Sequence, residues 1–307
     1  EYCNFKGGTY WSDLRIKNGH KDPHNFRVWC LGNEMDGPWQ TCAKTADEYG
    51  RIANEAAKMM KWVDPTIELV ACGSSGSYLP TYPEWDRKVL EHTYDNVDFI
   101  SMHRYYAYEG NINDFLASYA DLDDYLAAGI AAADYVKAYK RSNKVMKISL
   151  DEWNAWYGTH GPKPEEAWTV APPIHEQTYN VMDALCVGGL LCTILNRSDR
   201  VRMGCIAQLV NCLAILMTEP GKSAYAQTTY YPFKHASVYG KDFVPCSTDI
   251  EIENGIIKYC GKREDAPVIG ECTDYKDSLI VPGFIDIHIH GCNMADATDG
   301  NPDSAAQ

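Results

Sequence analysis

Two glutamates have the residue type and the surroundings that acid-base and nucleophilic chemistry on a sugar requires. Glu34 lies in WCLGNEMDGPWQ (29–40), and Glu152 lies in ISLDEWNAWYG (148–158). Each directly follows a short apolar run and is flanked by Asn, Asp and Trp. Hydrolysis of a glycosidic bond needs one carboxyl group to protonate the leaving oxygen and a second to attack the anomeric carbon or to activate water. The pair therefore predicts glycoside hydrolysis.

The two carboxyl groups would need opposite environments. The acid must hold its proton near neutral pH, so its pKa must be raised, whereas the nucleophile must stay ionised with help from hydrogen bonds or nearby positive charge. A single glutamate at a strand end is more commonly a salt-bridged or helix-capping residue. Two of them, each inside an aromatic and polar cluster, favour the catalytic interpretation.

The elements that must position these residues alternate along the chain. Strands are predicted at five apolar runs: FRVWCL (26–31), TIELVAC (66–72), NVDFISM (96–102), KVMKISL (144–150) and MGCIAQLV (203–210). Helices are predicted over 45–63, over roughly 112–140 and from near His175. The first has Thr45 and Glu48 at capping-box spacing and an apolar stripe, and Asp64-Pro65 ends it. The stripe consists of Tyr49, Ile52, Ala56, Met59 and Val63.

Alternation of strands and helices implies parallel pairing with right-handed crossovers. The polar residues follow the carboxyl ends of the strands, which is where a (β/α)8 barrel keeps its active site. A doubly wound sheet is the rival, but no Gly-rich phosphate loop follows any of these strands. The sequence predicts the α/β fold class, as a partial (β/α)8 TIM barrel lacking its first strands and followed by a short β-rich segment. About five strand-helix units are present where a closed barrel needs eight.

Composition excludes some partners. The formal net charge is −14, which argues against a nucleic-acid or anionic-membrane surface, since both require basic patches. No stretch is apolar and long enough to cross a membrane, and Glu1 does not open a signal peptide, so the expected location is the cytoplasm. Twelve scattered cysteines without a CxxC pair suit a reducing compartment. Six of them stand in apolar runs and are expected to be buried: Cys30, Cys72, Cys186, Cys192, Cys205 and Cys212.

The character of the chain changes after about residue 242. STDIEIENGIIKYCGK (247–262) alternates apolar and polar residues about a Gly turn, which predicts a hairpin. A further apolar strand follows a Pro-Gly turn near residue 282. We predict three parts: a partial catalytic barrel over 1–217, the start of a truncated β-sandwich over 218–242, and a separate β-rich segment with a first barrel strand over 243–307.

The first 240 residues resemble the α-L-arabinofuranosidases of glycoside hydrolase family 51. The resemblance rests on the two glutamate segments, the first extended back to residue 7, and continues through SMHRYY (101–106), RMGCIAQLVN (202–211), MTEPG (217–221) and TTYYPFKHASVYG (228–240). It implies that Glu34, in the Gly-Asn-Glu motif, is the acid/base and that Glu152, in Asp-Glu-Trp-Asn, is the nucleophile. It also implies substrate-binding positions, which fall on Asn33, Trp39, His103, Tyr105, Trp156 and Gln208. Ordinary alternatives are a turn former for Asn33, packing for Tyr105 and Trp156, and a satisfied polar group for Gln208.

The family pattern also implies what this sequence lacks. The first three barrel strands and several sugar-contacting residues precede the position that corresponds to Glu1, and the terminal β-sandwich stops near Gly240. A partial barrel would have unpaired strand edges, and its sugar pocket would lack one wall. Family members often assemble into hexamers, so a homo-oligomer is one expectation.

The last segment resembles a different family. DIEIENGIIKYCGK (249–262) and VPGFIDIHIHG (281–291) are similar to the start of N-acetylglucosamine-6-phosphate deacetylases of the amidohydrolase superfamily. That resemblance implies metal ligands at His288 and His290, a divalent-metal pair whose i, i+2 spacing on a strand places both side chains on one side. The alternative is a strand-like tail without metal. The simplest hypothesis for the junction is a fusion of two unrelated coding fragments.

Three functions remain open at this point. The leading one is a retaining enzyme that removes terminal non-reducing α-L-arabinofuranosyl residues from arabinan or arabinoxylan and needs no cofactor. The second is a metal-dependent deacetylase fragment acting on an N-acetyl sugar phosphate. The third is an inactive truncated chimera.

Overall fold

The computed structural model describes residues 1–158, 168–170, 174–239, 248–253 and 256–262. The centre of the described structure is a five-stranded parallel sheet in which neighbours in space are also neighbours in sequence. Its strands are β1 Val28–Cys30, β2 Glu68–Ala71, β3 Phe99–Tyr106, β4 Lys147–Ala155 and β5 Val201–Ile206. This sequential order is that of a singly wound barrel, because a doubly wound sheet reverses its strand order at a switch point. The predicted α/β class with five parallel strands is confirmed, and the arrangement is consistent with part of a TIM barrel.

The helices of the described structure connect and cover these strands. They are α1 Tyr10–Lys17, α2 Ala46–Val63, α3 Glu84–Thr93, α4 Ile112–Leu116, α5 Ser118–Tyr139, α6 Val181–Asn196 and α7 Tyr230–Tyr239. Helix α2 begins at the predicted capping box, in which Thr45 and Glu48 exchange hydrogen bonds. The helix predicted to open near His175 begins six residues later, at Val181, because the Asn180 side chain caps it by accepting from Met182 N and Asp183 N. None of the described helices has the length and apolar character that spanning a membrane requires.

The predicted apolar stripe of α2 is only partly correct, because Tyr49 is buried and Ala56 and Val63 are partly buried, but the other two residues face solvent. The buried positions are Tyr49, Gly50, Ala53 and Ala57, whereas Ile52 is 57% exposed and Met59 is 62% exposed. The reason is close packing against α3, where a Cβ on Gly50 would lie 2.8 Å from the His92 ring. Only small side chains fit such an approach, and the larger apolar residues are left outside.

The cysteine prediction holds in part. Cys72 and Cys186 are buried, and Cys192 and Cys212 are partly buried. Cys30 and Cys205 are exposed, contrary to expectation. They lie on β1 and β5, the two edge strands of the described sheet, so each has a neighbouring strand on one side only.

Two short antiparallel pairs follow the barrel strands. Strands β6 Leu216–Met217 and β7 Tyr225–Ala226 pair just before α7, whose Phe233 ring stacks on Trp153 of β4 at 5.6 Å between centroids. Strands β8 Thr248–Glu253 and β9 Ile256–Lys262 form the predicted hairpin. His288, His290 and the strand predicted around them lie outside the described residues, so the metal pair stays a prediction. The boundary near residue 242 also stays a prediction.

Candidate active site

The sheet brings Glu34 and Glu152 together at the carboxyl ends of its strands. Glu34 lies on the loop after β1, with a left-handed φ of 48° two residues beyond Gly32 at φ 139°. Glu152 lies within β4. One carboxylate oxygen of each and a ring nitrogen of His103 all lie within 4.8 Å of one another. The two glutamates singled out by the sequence therefore share one site.

His103 bridges the acidic groups of the site. Its side chain is 5% exposed, and the register of β3 and β4 places it opposite Glu152. Nδ1 lies 3.2 Å from Glu34 Oε1 and 3.4 Å from Glu152 Oε2. Nε2 lies 3.1 Å from Asp151 Oδ1, and Asp151 Oδ2 accepts from Ser149 Oγ at 2.9 Å. The imidazole is thus held between three carboxyl groups.

Further donors and backbone contacts fix Glu34. Its Oε2 accepts hydrogen bonds from the Trp39 indole Nε1 and from Gln40 Nε2, the latter at 3.3 Å. The loop is attached to the segment after β2, because Asp36 accepts from both the backbone nitrogen and the hydroxyl of Ser75. Trp39, predicted to bind substrate, therefore contacts the proposed acid/base directly.

Glu152 has a different set of neighbours. The Tyr105 hydroxyl donates to Glu152 Oε1 at 2.9 Å. The Trp156 ring packs edge-on against Tyr105, with 5.0 Å between centroids, and against His175, with 5.3 Å. Trp156 Nε1 is buried and has no hydrogen-bond acceptor among the described residues, so this N–H is free to donate to a bound molecule.

The remaining predicted positions lie nearer to solvent. Asn33 is exposed next to Glu34 in the chain, and Gln208 is exposed just beyond β5. The Gln208 loop is held by Asn154, which is fully buried and donates to the carbonyl oxygens of Ala207 and Leu213 at 2.7 and 2.8 Å. The structure shows no direct contact that assigns Asn33 or Gln208 a role, so both stay predictions.

Electrostatics at the site centre on His103. Burial opposes its charged form, but the hydrogen bonds to Asp151 and Glu34 and the negative charges of Glu152 and Asp151 outweigh burial and raise the pKa of His103 to about 10. Burial raises the pKa of Glu34, but hydrogen bonds from His103 and Trp39 outweigh it, so the net direction is down. Burial is the largest influence on Glu152 and raises its pKa. The positive charge of His103 opposes burial, the negative charges of Glu34 and Asp151 add to it, and the net direction is up.

These directions reverse the environments expected from the sequence. The predicted acid, Glu34, has the lowered pKa, and the predicted nucleophile, Glu152, has the raised one. Burial raises the pKa of both groups, and the directions differ because the two carboxylates have different numbers of hydrogen-bond donors. Glu34 receives hydrogen bonds from three side chains, whereas Glu152 receives one from Tyr105 and lies farther from His103.

Two carboxylates and an imidazole at this spacing also have the composition of a divalent-metal site. A metal-binding imidazole must be neutral at the binding nitrogen. Here both ring nitrogens of His103 face carboxylate oxygens, Nδ1 that of Glu34 and Nε2 that of Asp151, which favours the doubly protonated imidazolium. The arrangement therefore suits a positively charged His103 between carboxylates better than a neutral His103 that binds a metal.

Sequence reasoning assigned no function to Asp151, Gln40 or Asp36. Asp151 directly precedes Glu152, and its side chain reaches His103 on the neighbouring strand. The signal available was the clustering of polar residues after an apolar strand. Their partners could not be identified, because each contact joins segments 35 to 50 residues apart or lies inside a loop of irregular backbone.

Comparison with known proteins gives a consistent family. Residues 1–125 match the α-L-arabinofuranosidase 1 domain, and residues 151–254 match the α-L-arabinofuranosidase C-terminal domain. The chain is 56% identical over 246 residues to an intracellular exo-α-(1→5)-L-arabinofuranosidase of Halalkalibacterium halodurans, covering 78% of this chain and 49% of that protein. It is also 56% identical over 243 residues to a Bacillus subtilis enzyme of the same description, with the same coverage.

Solved structures agree with these matches. A family 51 α-L-arabinofuranosidase from Bifidobacterium longum superposes with a TM-score of 0.75 at 38% identity, covering 81% of this chain and 52% of that one. The arabinose complex of the Thermotoga maritima α-L-arabinofuranosidase gives 0.65 at 36% identity, covering 76% and 44%. This chain therefore spans about half the length of the relatives it matches. Over that span, it is similar to the α-L-arabinofuranosidases of glycoside hydrolase family 51.

Proposed function

We propose that this chain carries the catalytic pair of a retaining, exo-acting α-L-arabinofuranosidase, which releases terminal arabinose from arabinan or arabinoxylan. The observation that carries the proposal is the separation of the Glu34 and Glu152 carboxylates, whose nearest oxygens lie within 4.8 Å. Retaining glycosidases hold their carboxyl groups about 5–5.5 Å apart, whereas inverting enzymes need roughly 6.5–9.5 Å to admit a water. The spacing supports double displacement.

In the first step, the Glu152 carboxylate attacks the anomeric carbon and forms a glycosyl ester. The bond from that carbon to the leaving oxygen breaks, and Glu34 supplies the proton that this oxygen takes up. In the second step, Glu34 removes a proton from water, and the resulting oxygen attacks the anomeric carbon and releases Glu152. Two inversions leave the product with the configuration of the substrate.

Several side chains are placed to support these steps. Tyr105 orients the Glu152 carboxylate through its 2.9 Å hydrogen bond, and Trp39 orients Glu34 from the other side. The unpaired Trp156 indole N–H is available to a sugar hydroxyl. We propose sugar contacts for Asn33, His103 and Gln208 on the strength of the family motif.

The names of the relatives support the substrate class and the location. Two relatives at 56% identity are described as intracellular exo-α-(1→5)-L-arabinofuranosidases, and another at 46% identity, from Bifidobacterium longum, is described as acting on α-(1→6) linkages. We propose a terminal α-(1→5)-linked arabinofuranosyl residue as the preferred group and the cytoplasm as the location. Assembly into a homo-oligomer is a further proposal, which size-exclusion chromatography with light scattering tests.

The test is an assay of the purified 307-residue chain on α-(1→5)-arabinobiose, with NMR detection of the first-formed anomer and circular dichroism to confirm folding. We expect arabinose of retained configuration. Glu152→Gln serves as the inactive matched variant, since it preserves shape and removes the charge. A folded chain with no turnover, or one that releases the inverted anomer, would refute the proposal.

For the C-terminal part, we propose on sequence resemblance alone that residues from about 243 derive from a deacetylase-like amidohydrolase. The supporting pattern is His288 and His290 at i, i+2 spacing. An unbroken in-frame amplicon across codons 235–255 of the source DNA would count against a misassembled junction.

For the arabinofuranosidase activity, we propose a mechanism without a cofactor. Loss of arabinose release when a chelator removes divalent metal would count against it.

A further inference from the structure

Two aromatic rings in the loops near the catalytic pair, those of Trp39 and Tyr78, each lie over a glycine two residues earlier in the chain. A Cβ on Gly37 would lie 2.6 Å from Trp39 Cε2, and a Cβ on Gly76 would overlap Tyr78 Cε1. Real Cβ atoms essentially never approach so closely, so each ring lies directly over the bare backbone of its glycine. The two seats occur in consecutive loops, one after β1 and the other after β2.

The loop that carries Tyr78 is fixed at its base to the loop that carries Glu34. Ser75 donates to Asp36 through both its backbone nitrogen and its hydroxyl. Ser74 donates in the same two ways to the fully buried Asp86, at 2.8 Å each. Tyr78 follows Ser75 by three residues, so the segment that carries it begins at a point attached to the Glu34 loop.

Electrostatics support this proximity. Burial raises the pKa of the Tyr78 hydroxyl, and the negative charges of Glu34, Asp36 and Glu152 contribute in the same direction, against Arg104. Tyr78 therefore lies within the electrostatic reach of both catalytic carboxylates.

Both rings nevertheless remain open to solvent. Trp39 is 49% exposed and Tyr78 is 66% exposed, while their glycine seats are buried. Large aromatic side chains dominate contact surfaces because they present a flat, rigid face and lose little conformational entropy on binding. A ring held over a glycine has already lost most of its conformational freedom. A ligand that packs against the face of this ring therefore causes little further loss of entropy.

We propose that Tyr78, seated on Gly76, forms with Trp39 the subsite for the leaving group, and that its ring packs against the face of the sugar that departs. The proposal rests on the proposed function, and specifically on Glu34 as the residue that protonates the leaving oxygen. Trp39 donates to Glu34, so its ring borders the place where the leaving oxygen would take up its proton. The ligand class is a neutral pyranose or furanose ring linked through its oxygen to arabinose.

The experiment compares two substrates with different leaving groups on the full chain. One is α-(1→5)-arabinotriose, whose leaving group contains sugar rings, and the other is α-L-arabinofuranosyl fluoride, whose leaving group has none. We expect Tyr78→Ala to lower the ratio of kcat/KM for arabinotriose to kcat/KM for the fluoride about tenfold, in the range that loss of an apolar contact gives. Tyr78→Phe should keep the wild-type ratio, because the ring face and not the hydroxyl makes the contact.

Gly76 supplies an independent variant. Gly76→Ala should lower the ratio as Tyr78→Ala does, and adding it to Tyr78→Ala should cause no further fall, because the glycine acts only through the ring. Tyr139→Ala is the matched control, since Tyr139 is 67% exposed on α5 and packs on Tyr135 away from the carboxylates.

The outcomes separate the two proposals. An equal effect of Tyr78→Ala on both substrates, no effect on either, or a Tyr78→Phe variant as impaired as Tyr78→Ala would overturn the subsite while leaving the proposed function in place. A further fall in the double variant would overturn the role of Gly76 as a seat. A folded wild-type chain that turns over neither substrate would remove both proposals.

Discussion

Glu34 and Glu152 both lie at the carboxyl ends of the strands of one sheet, yet the regions that carry them are built differently. Glu34 follows β1, an edge strand of three residues, on a loop whose backbone enters the left-handed region. Glu152 lies inside β4, a strand of nine residues paired on both sides. The first carboxylate is positioned mainly by side-chain contacts, and the second mainly by the sheet.

The side-chain environments differ in the same way. Glu34 is 13% exposed and accepts from His103, Trp39 and Gln40, whereas Glu152 is 27% exposed and accepts from Tyr105. These donors stabilise the ionised form of Glu34, whereas a general acid must hold its proton until the leaving group takes it up. Motif position and local electrostatics thus assign the acid and nucleophile roles to the two glutamates in opposite order.

The largest effect is expected from removing each glutamate in turn. Glu152→Ala should lower kcat on arabinobiose by at least about 10⁴-fold, because no ester can form. Glu34→Ala should lose about 10²–10⁴-fold on the same substrate. On a 2,4-dinitrophenyl arabinofuranoside, whose leaving group needs no proton, we expect Glu34→Ala to recover most of its glycosylation rate and Glu152→Ala to recover none.

Added azide distinguishes the roles stereochemically. Azide should rescue Glu152→Ala with a β-configured glycosyl azide, formed by one inversion, and rescue Glu34→Ala with the α-configured azide, formed by two. NMR of the azide products is the measurement, and Glu55→Ala, on an exposed face of α2, is the control. The converse stereochemistry would exchange the two roles and would mean that the pKa directions, rather than the motif, identify the nucleophile.

A smaller effect is expected at Asp151, which belongs to the Glu152 region and contacts His103. Asp151→Asn keeps an acceptor for His103 Nε2 and removes the negative charge, so the pKa of His103 falls from about 10. Below that lower pKa the imidazole keeps its positive charge, whereas Glu152 loses the negative charge of Asp151, which contributes to its raised pKa in the wild type. The pKa of Glu152 therefore falls. Because the nucleophile must be ionised, the acidic limb of kcat/KM should move to lower pH.

A profile of kcat/KM from pH 4 to pH 9 measures this shift. Ser149→Ala is the matched variant, since it removes a 2.9 Å hydrogen bond to Asp151 but no charge, and its limb should move less. If the acidic limb of Asp151→Asn stays in place or moves to higher pH, the charge of Asp151 does not raise the pKa of the nucleophile.

The sequence predicts the Glu152 region better than the Glu34 region. The five strands, the capping box at Thr45 and the clustering of polar residues at strand ends follow from local propensity and periodicity. These are short-range properties. The strand ends therefore indicate the correct edge of the sheet, and with it the approach of Glu34 to Glu152.

Features that depend on long-range packing could not be predicted. The His103 bridge requires the register of β3 and β4, which the hydrophobic pattern leaves open by one or two residues. The buried face of α2 is set by its close approach to α3 at Gly50, and the exposure of Cys30 by the edge position of β1. The donors to Glu34 come from an irregular loop, for which local pattern gives no partner.

The smallest effect tests whether the Glu34 loop is held independently of the helix that follows it. Thr45 ends this loop and caps α2, accepting from Glu48 N while the Glu48 carboxylate accepts from Thr45 N at 2.9 Å. Thr45→Ala removes the cap and should lower the free energy of unfolding by about 1 kcal/mol, measured by urea denaturation. Thr45→Ser retains the hydroxyl and should stay near wild type. Asp36 ties the loop to Ser75, and the contact of α2 with the start of the loop, from the Tyr49 hydroxyl to Leu31 O, does not involve the cap. KM and kcat on arabinobiose should therefore not change. If Thr45→Ala impairs kcat as well as stability, α2 helps to position Glu34, and the contrast between a carboxylate held by side chains and one held by secondary structure no longer stands.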